Sequence, residues 1–125
     1  MRYEKALDIQ MKMSEIVEKL NFNHVLIDNV VCVRSFGSSS RGTIARCHGL
    51  GKVMQLGLNR KGFYVLEFIS ERFDRLDDEE KTKIIIHELM HIPKCFGGGF
   101  RHHDFVNDRN INRLYQEYKR REDED

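Results

Sequence analysis

The segment His87-Glu88-Leu89-Met90-His91 has the pattern His-Glu-x-x-His, in which two side chains that commonly bind metals flank a carboxylate. On a helix, residues at i and i+4 lie on the same face, so the two imidazoles can converge on one metal ion. Two neutral imidazoles, a third protein ligand and a water form the open tetrahedral site of catalytic zinc. Glu88 would lie beside that water and accept its proton. The pattern therefore predicts zinc-dependent hydrolysis with Glu88 as the general base.

The neighbours of this motif favour a metal site over an incidental arrangement of polar side chains. The run Ile84-Ile85-Ile86 precedes the motif, and Leu89 and Met90 lie inside it. Histidine and glutamate in so apolar a helix would be desolvated without an obvious partner unless they served a ligand. The alternative is an exposed helical turn that carries the three polar residues by chance.

The third metal ligand is less clearly marked. If it is a glutamate on the following helix, Glu117 is the candidate. The pair His102-His103 is favoured because it follows a flexible glycine loop and precedes that helix. If the helix continues back to this pair, His103 falls nearer its apolar face and His102 points away. We therefore expect His87, His91 and His103 to hold the zinc.

The elements needed to position these residues can be read from the hydrophobic pattern. We expect an α+β fold, a small zincin-like domain with an N-terminal helix and a short, mainly antiparallel sheet, followed by the motif helix and a C-terminal helix. Residues 1–118 form one domain, and 119–125 is a charged tail expected to fray. Asp77 is the expected N-cap of the motif helix, which Pro93 ends near residue 92. The expected helices are 2–20, 77–92 and 104–119, and the expected strands are 30–33, 43–48, 52–57 and 63–70.

Composition is that of a folded domain rather than a membrane or secreted protein. The chain has 125 residues, of which 40% are apolar and 33% charged, and no apolar run approaches the length of a membrane span. Its 3 cysteines are sparse and odd in number, which argues against a disulfide framework. We therefore expect a cytoplasmic protein with no membrane partner.

Charge is unevenly distributed although the net charge is only +1. No acidic residue occurs in 29–66, while six basic residues do: Arg34, Arg41, Arg46, Lys52, Arg60 and Lys61. Such a segment can attract phosphate backbones, giving weak, non-specific nucleic-acid binding. Ordinary variation in surface charge also explains this basic segment, and we slightly favour that explanation.

Several motifs together resemble those of a known group of proteins. These are the segment 34–42 (Arg-Ser-Phe-Gly-Ser-Ser-Ser-Arg-Gly), the sequence His-Glu-Leu-Met-His-Ile-Pro over 87–93, and the glycine loop followed by Arg101-His102-His103. Over roughly 30–118 the chain resembles archaeal and phage-type metallopeptidases, which are related to the SprT-like zinc proteases that include the Spartan enzymes. The resemblance implies a zinc peptidase in which His103, two residues after the arginine, is the third ligand.

The predicted function is thus hydrolysis of a polypeptide substrate that lies extended along a sheet edge beside the motif helix. The alternative is a non-enzymatic, zinc-containing nucleic-acid-binding module, or an inactive protease homologue, that uses the basic segment 29–66. Substitution of Glu88 separates the two, because a structural zinc does not depend on that carboxylate.

Overall fold

The apolar stretch Tyr64–Ile69 forms an inner strand of a four-stranded sheet against which helices pack. The computed structural model describes residues 1–124. The fold is α+β, as the sequence predicted. In chain order the elements are β1 (Arg2–Lys5), α1 (Leu7–Lys19), a 3₁₀ turn (Ile27–Asn29), β2 (Val30–Phe36), β3 (Ala45–Gly49), α2 (Lys52–Gly57), β4 (Tyr64–Ile69), α3 (Ser70–Phe73), α4 (Asp78–Met90) and α5 (Asp108–Asp123).

The sheet has the strand order β1-β2-β4-β3 and is mixed rather than mainly antiparallel. Its two inner strands run parallel, with Val30 opposite Tyr64, whereas each outer strand is antiparallel to its neighbour. The central pairing differs from our expectation because the long connection through β3 and α2 lets the chain re-enter the sheet in the same direction. Within the described chain β3 is an edge strand.

The N-terminal segment is a strand followed by a helix, not the single helix predicted over 2–20. Residues Arg2–Lys5 are exposed and pair with β2, which provides hydrogen-bond partners for their backbone. The predicted apolar face is confirmed within α1, where the buried residues are Ile9, Met13, Ile16 and Val17. The helix is shorter because 2–5 contributes no side chain to that face.

The prediction of a strand over 52–57 is wrong, because Lys52–Gly57 forms the short helix α2. Its apolar side chains do not alternate between a buried and an exposed face: Val53 is 84% exposed and Leu56 85% exposed. The helix is instead held by Gln55, whose Nε2 donates hydrogen bonds to the carbonyls of Leu50 and Gly97. Helix α2 therefore packs on the glycine loop that follows α4.

Helix α4 starts as predicted. Asp77 is its N-cap, and the carboxylate accepts a hydrogen bond from the backbone N–H of Glu80 at 2.8 Å. Ile85, Ile86 and Leu89 are buried in the core and fix the rotation of the helix. The helix ends at Met90, slightly before the predicted residue 92.

Helix α5 begins later and ends later than predicted. Asn107 is its N-cap, accepting from the Asn110 N–H at 3.0 Å, and the helix continues through Asp123 into the segment expected to be a charged tail. Ile111, Tyr115 and Tyr118 are buried on one face. No helix in residues 1–124 is long and apolar enough to cross a membrane.

Candidate metal centre

His87 lies in the last turn of α4 and His91 is its C-terminal cap, so the i, i+4 spacing brings both rings to one side. Their Nε2 atoms are 3.2 Å apart, and their ring centroids 5.0 Å apart. Two imidazole nitrogens bound to one tetrahedral zinc at about 2.05 Å lie about 3.3 Å from each other. The spacing of this pair therefore fits two ligands of one zinc ion.

A backbone carbonyl orients the His91 ring. Nδ1 of His91 donates a hydrogen bond to the carbonyl oxygen of Arg101 at 2.7 Å, and since a carbonyl only accepts, Nδ1 carries the hydrogen. In the neutral ring, Nε2 is then left with a free lone pair directed toward His87. This is the arrangement that outer partners of metal-binding histidines impose.

Burial favours the neutral form of His87, which is the form that binds metals. Burial lowers its pKa, and the neighbouring rings of His91 and His103 lower it further. At neutral pH the imidazole is therefore uncharged and its nitrogen can bind a cation.

Glu88 is buried beside the histidine pair. It is only 5% exposed, and its Oε2 is 3.9 Å from Nε2 of His87. Burial raises the pKa of Glu88 to about 7. A carboxyl with a pKa near neutrality can both accept and release a proton at physiological pH, as a general acid–base catalyst must.

His103 is the third histidine of the cluster. Its ring centroid lies 6.4 Å from that of His87 and 5.8 Å from that of His91. The choice of His103 from helix geometry was conditional on a helix that continues back to this residue, but α5 begins at Asp108. His103 lies instead in a turn in which the His102 carbonyl accepts hydrogen bonds from the N–H groups of Phe105 and Val106. The side chain of His102 lines the adjacent cleft.

The three rings do not yet have the spacing of a complete ligand set. Three imidazoles on one tetrahedral zinc have ring centroids about 5.2 Å apart, so His103 would need to approach the pair by roughly 1 Å. Accordingly, no group of three or more His, Cys, Asp or Glu residues in the described chain has an arrangement that could hold a metal ion. The donor types and the His87–His91 spacing fit zinc, and the third contact requires a small movement of the turn.

Glu117, the other candidate for the third ligand, is engaged elsewhere. Its carboxylate accepts hydrogen bonds from Arg120 at 2.6 Å and Arg121 at 2.7 Å, and these interactions lower its pKa to about 2. The residue does not line the cleft that contains His87, Glu88 and His91.

The glycine loop between α4 and the His102-His103 pair is anchored by Tyr64. The buried Tyr64 hydroxyl accepts a hydrogen bond from the Gly98 N–H and donates one to the Gly99 carbonyl, both at 2.8 Å. Gly98 has φ +100°, and a Cβ there would lie 2.3 Å from the carbonyl oxygen of Leu50. The sequence carries no signal for this role of Tyr64, because both partners are backbone groups.

An open cleft of about 330 Å³ adjoins the motif, and strand β3 forms one of its walls. Cys47 lines it from that strand, and burial raises the thiol pKa to about 12. The next residue, His48, contacts Glu67, with its Nε2 2.7 Å from Oε1. Cys47 and His48 therefore do not form a second metal site together.

Comparison with known proteins adds to this geometry. A family described as "Putative phage metallopeptidase" matches residues 1–123. No curated protein and no solved structure matches the chain significantly. The description of the family implies a metal cofactor and a polypeptide substrate. Since the match spans nearly the whole sequence, this chain belongs to the phage metallopeptidase family.

Proposed function

We propose that this chain hydrolyses peptide bonds, with a zinc ion held by His87, His91 and His103 and with Glu88 as the general base. The observation that carries the proposal is the 3.2 Å separation of the His87 and His91 Nε2 atoms beside a buried carboxylate. The His-Glu-Leu-Met-His-Ile-Pro sequence with the later Arg-x-His supports a relationship to SprT-like proteases as part of this proposal.

The three histidines would leave one position of a tetrahedral zinc open. When bound, the ion would supply Lewis acidity, which polarises a carbonyl and lowers the pKa of water toward neutrality. The protein's part is to hold the ligands neutral and correctly turned, and the hydrogen bond from His91 Nδ1 to the Arg101 carbonyl performs this for one ring.

Glu88 would move the proton. Its carboxylate takes a proton from the water that attacks the peptide carbonyl, and later gives that proton to the leaving amine as the C–N bond breaks. Without bound metal, burial raises the pKa of Glu88 to about 7, which favours uptake of the proton.

Strand β3 would bind the substrate backbone. It pairs with β4 on one side only, and Ala45, Arg46 and Cys47 line the cleft. An extended peptide can add to such an edge through main-chain hydrogen bonds, which places its backbone beside α4 largely independently of sequence.

The test is the substitution Glu88→Gln, which keeps the shape of the side chain and removes its basicity. Metal content should be unchanged, while hydrolysis of fluorescein-labelled casein should fall by about 10²–10⁴-fold. Glu79→Gln is the matched control, because Glu79 is an exposed carboxylate of the same helix that pairs with Lys83. Hydrolysis by Glu88→Gln at the wild-type rate would refute the proposal.

The alternative of a nucleic-acid-binding module is less well supported by the charges. Of the six basic side chains in 29–66, Arg34 pairs with Asp8 and Asp74, and Arg46 with Glu67. Any DNA binding by the remaining four should be weak and steeply salt-dependent. Fluorescence anisotropy at low salt detects such binding. If it occurs, replacing Arg41, Lys52 and Lys61 together by Gln should weaken it.

A further inference from the structure

A second cavity lies where the C-terminal end of α4 meets the segment after α1 and the loop before α5. Its volume is about 490 Å³, within the range of roughly 300–1,000 Å³ that is usual for small-molecule sites. Much of its wall is apolar, formed by Phe22, Leu89, Met90, Ile92 and Phe105. The proposed function makes no use of this cavity.

Two cations lie in the polar part of the wall. These are Lys94 and Arg101, the other polar lining residues are Asn21 and His24, and no acidic residue lines the cavity. In the described part of the chain, neither Lys94 nor Arg101 forms an ion pair with a carboxylate. Burial lowers the pKa of His24; a hydrogen bond with the Ile92 backbone raises it in part, and the positive charges of Lys94 and Arg101 lower it further.

Arg101 is held in place at this cavity. Its guanidinium carbon lies 3.4 Å from the centroid of the Phe105 ring, and its backbone N–H donates to the His91 carbonyl at 2.7 Å. A planar guanidinium fixed in this way offers paired donors that match a carboxylate.

We propose that this cavity binds a small organic carboxylate, with its apolar body against Phe22, Met90 and Phe105 and its charged group facing Lys94 and Arg101. The apolar wall provides burial for an aryl or alkyl body. The two cations provide the counter-charge that selects an anion over a neutral compound of the same shape. This cavity shares Arg101 with the cleft at the metal centre, but binding of the proposed ligand does not depend on peptidase activity.

The probe is 4-phenylbutyrate, titrated into the metal-loaded full chain and followed residue by residue in ¹H–¹⁵N spectra. Its neutral counterpart, 4-phenylbutanol, has the same body without the charge. The acid should shift the resonances of Phe22, Met90 and Phe105 at millimolar concentration, and the alcohol should bind about tenfold more weakly. Equal affinities of acid and alcohol would overturn the proposal.

Two further results decide where the carboxylate binds. Lys94→Gln, at an exposed position, should weaken binding of 4-phenylbutyrate about threefold to tenfold. Lys61→Gln, an exposed lysine outside the cavity, should leave it unchanged. Undiminished binding of 4-phenylbutyrate by Lys94→Gln would contradict the assignment. Resonance shifts confined to His87, Glu88 and His91 would also contradict it, because the acid would then be binding at the metal centre.

Discussion

His91 and Arg101 are joined by two reciprocal hydrogen bonds, each 2.7 Å long: the His91 ring donates from Nδ1 to the Arg101 carbonyl, and the Arg101 N–H donates to the His91 carbonyl. The first bond sets the orientation of a candidate metal-binding ring. The second ties the loop after α4 to the end of that helix, two residues before His103. These two hydrogen bonds thus couple the candidate ligands on either side of the glycine loop.

Since Arg101 acts here through its backbone, the identity of its side chain should matter little for the metal. Arg101→Ala should leave zinc affinity within about threefold of wild type, whereas Arg101→Pro, which removes the N–H, should weaken it by about 10–100-fold. Competition with a chromogenic chelator measures both. A large loss in Arg101→Ala would show that the guanidinium, not the backbone, supports the site.

The two adjacent histidines should differ sharply. His103→Ala should weaken zinc binding far more than His102→Ala, because the His103 ring is the one that approaches both His87 and His91. Isothermal titration of metal-free protein with zinc gives the two affinities. Equal, mild losses would indicate that neither residue is a ligand.

Tyr64→Phe tests the anchor of the glycine loop while keeping the buried ring. The variant loses the hydrogen bonds to Gly98 and Gly99, which should lower the free energy of unfolding by about 1–3 kcal/mol. Urea denaturation provides the value. Tyr3→Phe is the control, since Tyr3 is 59% exposed, and its stability should match that of wild type. An unchanged stability of Tyr64→Phe would mean that the loop is held by other contacts.

Acid should weaken the link that Arg34 forms between α1 and the segment after α3. Hydrogen bonds from Arg34 lower the pKa of Asp8. Burial raises the pKa of Asp74, but hydrogen bonds from Arg34 and Ser70 outweigh this effect, so the pKa of Asp74 is also lowered. Lowered pKa values stabilise the fold above the ordinary aspartate pKa of about 3.9, and this contribution is lost as pH falls through the folded-state values.

Both carboxylates are partly exposed, so each should contribute less than about 1 kcal/mol. Urea denaturation between pH 6 and pH 3 should show a smaller loss of stability in Arg34→Gln than in wild type. Parallel pH profiles for the two proteins would exclude this contribution.

The elements with strong local signals could be predicted from the sequence. Asp77 and the apolar residues 84–86 identify the start and the buried face of α4, and the His87–His91 spacing follows from helix geometry. Pairing partners of strands carry no such signal. For this reason the exposed strand Arg2–Lys5 and the parallel pairing of β2 with β4 were not predicted.

Two other features could not be read from residue type. Val53, Met54 and Leu56 are apolar in sequence yet exposed in α2, so hydrophobicity alone wrongly suggested a strand. Arg101 supports the candidate centre through its own backbone carbonyl, and the Tyr64 hydroxyl contacts backbone groups of the glycine loop. Every residue has such backbone groups, so residue type does not reveal these contacts. Such contacts depend on the tertiary fold rather than on a motif.

The central claim is that His87, His91 and His103 hold a zinc ion, and the metal content of the purified protein tests it most directly. Elemental analysis of the wild-type chain, after equilibration with zinc and removal of unbound metal, should give about one zinc per chain. His87→Ala and His91→Ala, analysed in parallel, should contain almost none. A wild-type protein that remains free of zinc, or alanine variants that retain it, would contradict the account.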